Sequence, residues 1–455
     1  MMPEGSQPAW FLNPPVRRPL LSFVRMPTLS LSIQTLVLAL LTGCALYAHR
    51  EAQRFDPHSD GAHPRSGVIL SDHTLYGTTS GGAGGFWGLG TVFKLKTDGR
   101  GYAVLHHFGP VSYSGPATNS TGAFPEGRLV LSGHTLYGTA PEGDRAGGGT
   151  VFKINTVGTG FAVLHGFGGS DGARPLAGLV LSGHTLFGTT QRGGHNAGTV
   201  FKVNTDGSDF TTLHTFGKLG GRDLTNSDGA FPQTELVVSG NTLFGTAWPR
   251  GAAGRGTVFK VRTDGSGFAV LHHFEKTTNN PLGHDTNRDG AWIESGLVLS
   301  GGLLCGAAAQ GGPAGNGTVF RLNPEGTEFK VLHSFGAHGG SYPDNTNQDG
   351  EHPTGLLRSG DALYGIASDN GSRYWGTLFR VGTDGDGFTV LHSFGGDDGC
   401  SPRTSPALSG PTLYGITASG GKRGGGTVFK LHTDGTDFVV LHHFTAKPLP
   451  PSLTD

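Results

Sequence analysis

Cysteine is nearly absent from this chain, with 3 among 455 residues. That number excludes a disulfide framework, and no pair has metal-ligand spacing. Charge is scarce as well: 15% of residues are charged, the net charge is -1, and neither sign forms a block. A phosphate-tracking surface is thereby excluded, and nucleic acid with it as a partner. An apolar stripe with a 3.6-residue period is missing throughout, so a helical reading fails. Glycine, by contrast, is abundant at 81 of 455 residues, without a Gly-X-Y period or a polar low-complexity tract. Such a surplus fits an all-β chain with many turns.

Self-similarity decides the architecture. Gly-Thr-Val-Phe-Lys occurs at Gly149 to Lys153 and returns at Gly198, Gly256 and Gly426, with variants at Gly90, Gly317 and Gly376. Neighbouring copies are as close as Gly149 and Gly198 (49 residues) and as far apart as Gly256 and Gly317 (61 residues). In the copy from Gly178 to Phe216, Leu179-Val180-Leu181 and Thr185 to Thr190 are strands joined by the tight turn Ser182-Gly183-His184. Gly198 to Thr205 is a third strand, turned by Asp206-Gly207-Ser208 into a fourth, Phe210 to Phe216. Four antiparallel strands per repeat, seven times over, predict a seven-bladed β-propeller with one blade per repeat. Lone blades leave apolar faces bare, so neighbours must stack. The phase, from Gly67 to Leu70 at the start to Phe438 to Phe444 at the end, implies closure by face packing without an exchanged strand. An open solenoid of blades is the alternative.

The combined pattern is L-V-L-S-G-x-T-L-Y/F-G-T, G-T-V-F-K, T-D-G and V-L-H-x-F. It resembles the GloVer (Gloeo/Verruco) tandem repeat of exported bacterial proteins, from about Asp60 to Phe444. The resemblance implies a propeller at or beyond the cell surface and carries over no catalytic residue. Leu304-Cys305-Gly306 and Val157 depart from the pattern at single turns or strands. Cys305 takes a core position, and Cys400 lies in an unrelated part of another repeat, so no disulfide is expected between them.

The first fifty residues stand outside the repeat. Arg17, Arg18 and Arg25 precede the apolar segment Leu29 to Leu41, which reads as an export signal over residues 1–43. Leu41-Thr42-Gly43-Cys44 resembles the bacterial lipobox, which implies lipidation of Cys44; ordinary cleavage near Ala45 is the alternative. Residues 44–58 then form a tether, 59–445 the propeller and 446–455 a flexible tail. Membrane contact is expected only through the lipid anchor, and the propeller is expected to be a monomer.

If strands alternate in direction, the loops after the second and fourth strands share one rim, and these are the long, variable ones. Trp87, Trp248, Trp292 and Trp375 fall in or beside them, with Phe86, Arg250, Arg255, Arg373 and Tyr374 nearby. Aromatic rings with a polar edge suit sugar faces or a partner protein's anchor residues; packing between blades is the structural alternative. Asp285, Asn287 and Asp289, with Gly290 at the sixth place, match half of a calcium loop, though Glu294 comes two residues early. Turn formation is the alternative there. The seven histidines of the fourth strand, His106 to His442, repeat in every copy and read as structural. So does the basic residue closing each GTVFK, which is expected to meet a neighbouring acidic turn.

The expectation is an exported propeller whose loop rim binds a carbohydrate or a protein, with calcium as the one candidate cofactor. The rival reading is a polysaccharide hydrolase or lyase using acids among Glu142, Asp144, Asp285, Glu294, Asp344 and Asp369. A purely structural surface module is the third.

Overall fold

The computed structural model describes residues 60–82, 89–109, 119–144, 147–221, 225–248, 254–280, 284–337 and 347–445. The export signal, Cys44, the tether and the tail lie outside them.

In the third blade the strands are Val180–Ser182, Thr185–Thr190, Thr199–Asn204 and Thr211–Thr215. Gly188 lies opposite Phe201. A Cβ on Gly188 would come within 2.7 Å of that ring, which is fully buried. The glycine in Thr-Leu-Tyr/Phe-Gly-Thr is therefore there to let a phenylalanine lie flat across the sheet, and the pairing recurs in every blade. The fourth strand carries a bulge, because Val200 faces His214 while Phe201 faces Thr212. Leu213 is the extra residue, and its carbonyl abuts Gly265 of the next blade, where a Cβ would come within 3.0 Å.

Seven such sheets follow one another, each with its strands in chain order. A small extra hairpin, Thr278–Asn279 with Asp285–Thr286, occupies the insertion between the fourth and fifth blades, where the sequence suggests only loop.

The joint between blades is the phrase Asp-Gly-Ala-x-Pro. At Asp171 to Pro175, the Ala173 N–H donates to the Arg192 carbonyl of its own blade (2.7 Å) and the Arg192 N–H donates back (2.8 Å). The Arg174 N–H donates to the Gly148 carbonyl of the preceding blade at 2.8 Å. Pro175 then packs on Gly149, where a Cβ would meet its Cδ at 2.7 Å. The Thr199 hydroxyl donates to the Asp171 carbonyl (3.2 Å), and the Asp171 carboxylate meets His165 Nε2 of the preceding blade at 2.8 Å. Five residues thus bind two blades. Their x position has positive φ in all seven copies, between 51° and 60° from Ser401 to Trp292 and His63 to His352. That conformation costs about 1–2 kcal/mol per non-glycine residue and persists because the joint over-determines it.

The repeated histidines belong to this joint. Each stacks on an aromatic ring of the following blade, with centroids 3.5 to 4.1 Å apart. Six of them meet the joint's aspartate at 2.8 to 3.5 Å. Two of the basic residues closing GTVFK or its variants reach the next blade's turn through backbone carbonyls rather than acidic side chains: Lys260 Nζ donates to Pro324 (3.1 Å) and Arg321 to Thr383 (2.9 Å).

The ring closes with the same joint. Pro64 packs on Gly426, His63 donates its N–H to the Gly425 carbonyl at 2.9 Å, and His442 stacks on Tyr102. Val68, Leu75 and Phe93 of the first blade share a core with Ile416, Val428 and Phe444 of the seventh. Each sheet keeps its own four strands, so no strand is exchanged and the open solenoid is excluded.

One joint is defective. Between the first two blades Thr121 stands where the aspartate belongs, and His106 Nε2 is buried without a partner. Burial, with the neighbouring His107, lowers the His106 pKa to about 4. The unfolded chain takes up this proton near pH 6.5, so stability falls as pH drops from there towards 4. Thr121→Asp should raise the neutral-pH melting temperature by about 1–3 °C, from a charge-assisted bond of ~1–2 kcal/mol in a domain this large. Its melting temperature should also fall less steeply on acidification, which thermal melts from pH 4 to 8 will check.

Candidate functional site

What surrounds the axis departs from the sevenfold pattern. The residues after the joint's proline, or Ile293 in the fifth blade, lead into the first strand, and together they line a cavity of about 410 Å³. Arg65, Glu126, Gln233, Glu294, Thr354 and Arg403 stand among its walls. Arg65 and Glu126 pair at 3.0 Å. Two residues further along, Gly67, Gly178 and Gly296 occupy three blades, while Arg128 and Glu235 occupy two others. The glycines make the room. A Cβ on Gly178 would lie 2.3 Å from Glu235 Oε1, and one on Gly67 3.4 Å from Arg128 Cδ.

Burial in this wall raises the Glu235 pKa, against the opposing charge of Arg128. Burial likewise raises that of Glu294, which lies within the fields of Arg403, His352, Trp248 and Asp369. Asp369 moves the other way, held down first by its hydrogen bond to His352 Nδ1 at 3.0 Å. Ser368 Oγ donates to the same carboxylate at 2.9 Å. Burial works against a charged His352, but the Asp369 bond and the Glu351, Asp369 and Glu294 charges outweigh it and lift its pKa. The arrangement thus sets a carboxyl with a raised pKa near a carboxylate that is paired with His352, with the Arg403 guanidinium beside both.

The predicted rim residues separate into groups. Trp292 holds an x position and meets Trp248 edge to face at 5.2 Å, beside Glu294. The Trp248 indole N–H approaches Glu294 short of good hydrogen-bond geometry, and both indole nitrogens are buried without partners. Arg373, Tyr374 and Trp375 are exposed and lie over the joint of the sixth and seventh blades, next to Gly395 and Gly396. They are not part of the axial mouth. Phe86, Trp87, Arg250 and Asp344 fall outside the described residues.

Among the other acids, Asp144 packs against Gly166 of the outer fourth strand, and the Glu142 backbone bridges Ala123. Asp285 faces Arg255 at 3.5 Å. The calcium-like stretch has its donors committed elsewhere. Asn287 Oδ1 accepts from the Gly290 and Gly312 N–H groups at 2.9 and 2.8 Å. Asp289 accepts from the Glu275 N–H at 3.1 Å and meets His272 at 2.9 Å. Asn119 and Asn226 fold back on their own loops in the same way. Among the described residues no three His, Cys, Asp or Glu side chains gather as a metal site, and this donor set does not fit a calcium ion. Cys305 and Cys400 are free and buried, and burial lifts the Cys305 thiol to about 11.

Sequence reasoning pointed to the rim and missed the axis. The signal was the x position, which varies from His63 to Phe124 to Trp292 inside a phrase that otherwise changes little, together with the lone charges Arg128 and Glu235 at a glycine position.

Seven four-stranded sheets around a lined axis define a seven-bladed β-propeller. The profile of the Gloeobacter/Verrucomicrobia repeat matches residues 48–226, 111–286, 221–352 and 344–448, and the chain belongs to that family. No curated protein sequence matches it. Among solved structures, it is similar to a Mycobacterium tuberculosis puromycin-hydrolyzing peptidase, with 12% identity and a TM-score of 0.50 over 88% of this chain. It is similar also to a puromycin hydrolase, with 13% identity, a TM-score of 0.52 and 88% of this chain covered. The matches span 56% and 57% of those enzymes' own chains. The computationally designed protein Ika8 matches at 15% identity and a TM-score of 0.45, covering 84% of this chain and 88% of its own. At such identities the likeness extends to the fold alone.

The Glu235→Gln variant should be more stable than the parent at pH 7. A carboxyl with a raised folded pKa loses stability as pH rises above the ordinary value of about 4.3. The advantage of the amide should therefore vanish near pH 4, as paired melts across that range will read.

Proposed function

We propose that this is an exported, lipid-anchored binding propeller whose ligand, a carbohydrate or a protein, seats on the loop rim over the axial mouth. The observation that carries this reading is local asymmetry. The joints and strands repeat seven times, whereas the paired indoles of Trp248 and Trp292 stand with Glu294, His352, Asp369 and Arg403 in a combination that the other blades do not repeat. Binding sites are commonly concave and apolar-walled, with a few convergent polar groups. A glycan array on the mature protein, repeated with calcium and with chelator, should detect saccharide binding that Trp248→Ala reduces at least tenfold. Chelator should leave both binding and melting temperature unchanged. Loss of either on chelation would place calcium at Asp285, Asn287 and Asp289.

A second reading has its own support. Glu294 and Asp369 are carboxyls pushed in opposite pKa directions near one another, the arrangement that acid–base hydrolysis of a polysaccharide requires. Release of product from an arrayed glycan, abolished by Glu294→Gln, would favour it over simple binding. For the anchor, Cys44→Ser should remove fatty-acid labelling of the protein expressed in a bacterial host and free it from the membrane fraction.

A further inference from the structure

The walls of the axial cavity carry a specific imbalance. Arg128 Nε, Thr354 Oγ1 and Thr404 Oγ1 line it and are buried without hydrogen-bond partners. The indole nitrogens of Trp248 and Trp292, which neighbour the wall residue Glu294, are in the same state. Three of these five atoms are donors only, and the two hydroxyls can donate. A buried donor left unmatched costs about 1–3 kcal/mol, so a native site that assembles five of them is built for an acceptor-rich group. Arg128 supplies positive charge within the wall, beside a Glu235 whose pKa burial raises, and the missing side chains at Gly67, Gly178 and Gly296 leave the space around it.

We propose that the axial cavity recognises the carboxylate of an acidic sugar, a uronate residue of a polysaccharide. Arg128 and the two threonine hydroxyls take the carboxylate, and the sugar ring lies towards Trp248. A guanidinium matches a carboxylate's planar geometry and donates to both its oxygens. Arg403 at the mouth adds a second positive charge, next to a Glu294 that burial disposes towards its neutral form. The cavity's volume of about 410 Å³ lies in the range of small-ligand pockets, roughly 300–1,000 Å³. An acidic sugar is favoured over a peptide carboxylate by the paired indoles, since an aromatic face beside polar donors suits a ring that is apolar on one side and hydroxylated at its edge.

This inference rests on the reading that the rim binds a saccharide, and calorimetry on the full chain separates the two. The probes are trigalacturonate, its neutral counterpart galactotriose, and a tripeptide with a free carboxyl terminus. Trigalacturonate should bind one to one, at least tenfold tighter than galactotriose and with an affinity that weakens with salt. Arg128→Gln should cut its affinity by about 10–100-fold, the loss expected for one charge-assisted hydrogen-bonded contact, and leave any galactotriose binding unchanged. Arg403→Gln, at an exposed position, should give a smaller loss in the same direction, and keeps the test valid if the Arg128 variant does not fold. Equal affinity for the two trimers, both lowered by Trp248→Ala, would overturn the uronate inference while leaving a saccharide-binding rim in place. Binding of the tripeptide alone, or of no probe, would overturn both.

Discussion

Everything in this molecule depends on the joint between neighbouring blades. One phrase of five residues ties its own sheet by a backbone bridge and the preceding sheet by an N–H, a proline and a carboxylate. The apolar faces of a four-stranded sheet can be hidden only by another sheet. The joint fixes how closely that neighbour lies, and seven joints of one backbone geometry bring the last blade back to the first. Because the closing interface uses the same joint as the others, the ring needs no strand exchanged between its ends.

The joint also explains features that look functional when met singly. A histidine in every fourth strand suggests a metal, yet each ring is stacked between blades and tied to the joint's aspartate or, at His106, left over Thr121. Asp285 to Gly290 suggests calcium, yet its asparagine and aspartate close the loop that leads into a joint. Even the left-handed backbone at Trp292 and His352 is shared by all seven copies. What is not shared is the side chain carried there. The side chain at the x position can vary, since the bond that this position gives to every joint comes from its backbone N–H.

The strands were plain from the sequence because their causes are local. Thr185 to Thr190 is bounded by turn glycines and matches the observed strand residue for residue. The fourth-strand bulge was hidden, because Leu213 belongs to an unbroken apolar run and only pairing shows that it has no partner. Trp248, Trp292 and Trp375 could not be sorted from the sequence, since Trp248 and Trp292 meet across a blade boundary while Trp375 lies further out over another joint.

By itself the sequence determined the number of blades, the four strands in each, their order and the rim on which the long loops emerge. Each of these follows from periodicity, turn residues and short connections, all of which act within about fifty residues of chain. Tertiary structure alone decided that an axial cavity exists and what it contains. Arg128, Glu235, Glu294 and Arg403 come from four different blades, and only closure of the ring gathers them. The burial that shifts Glu235 depends on Gly178 from a neighbouring blade, a distance of 2.3 Å in space that no local pattern encodes.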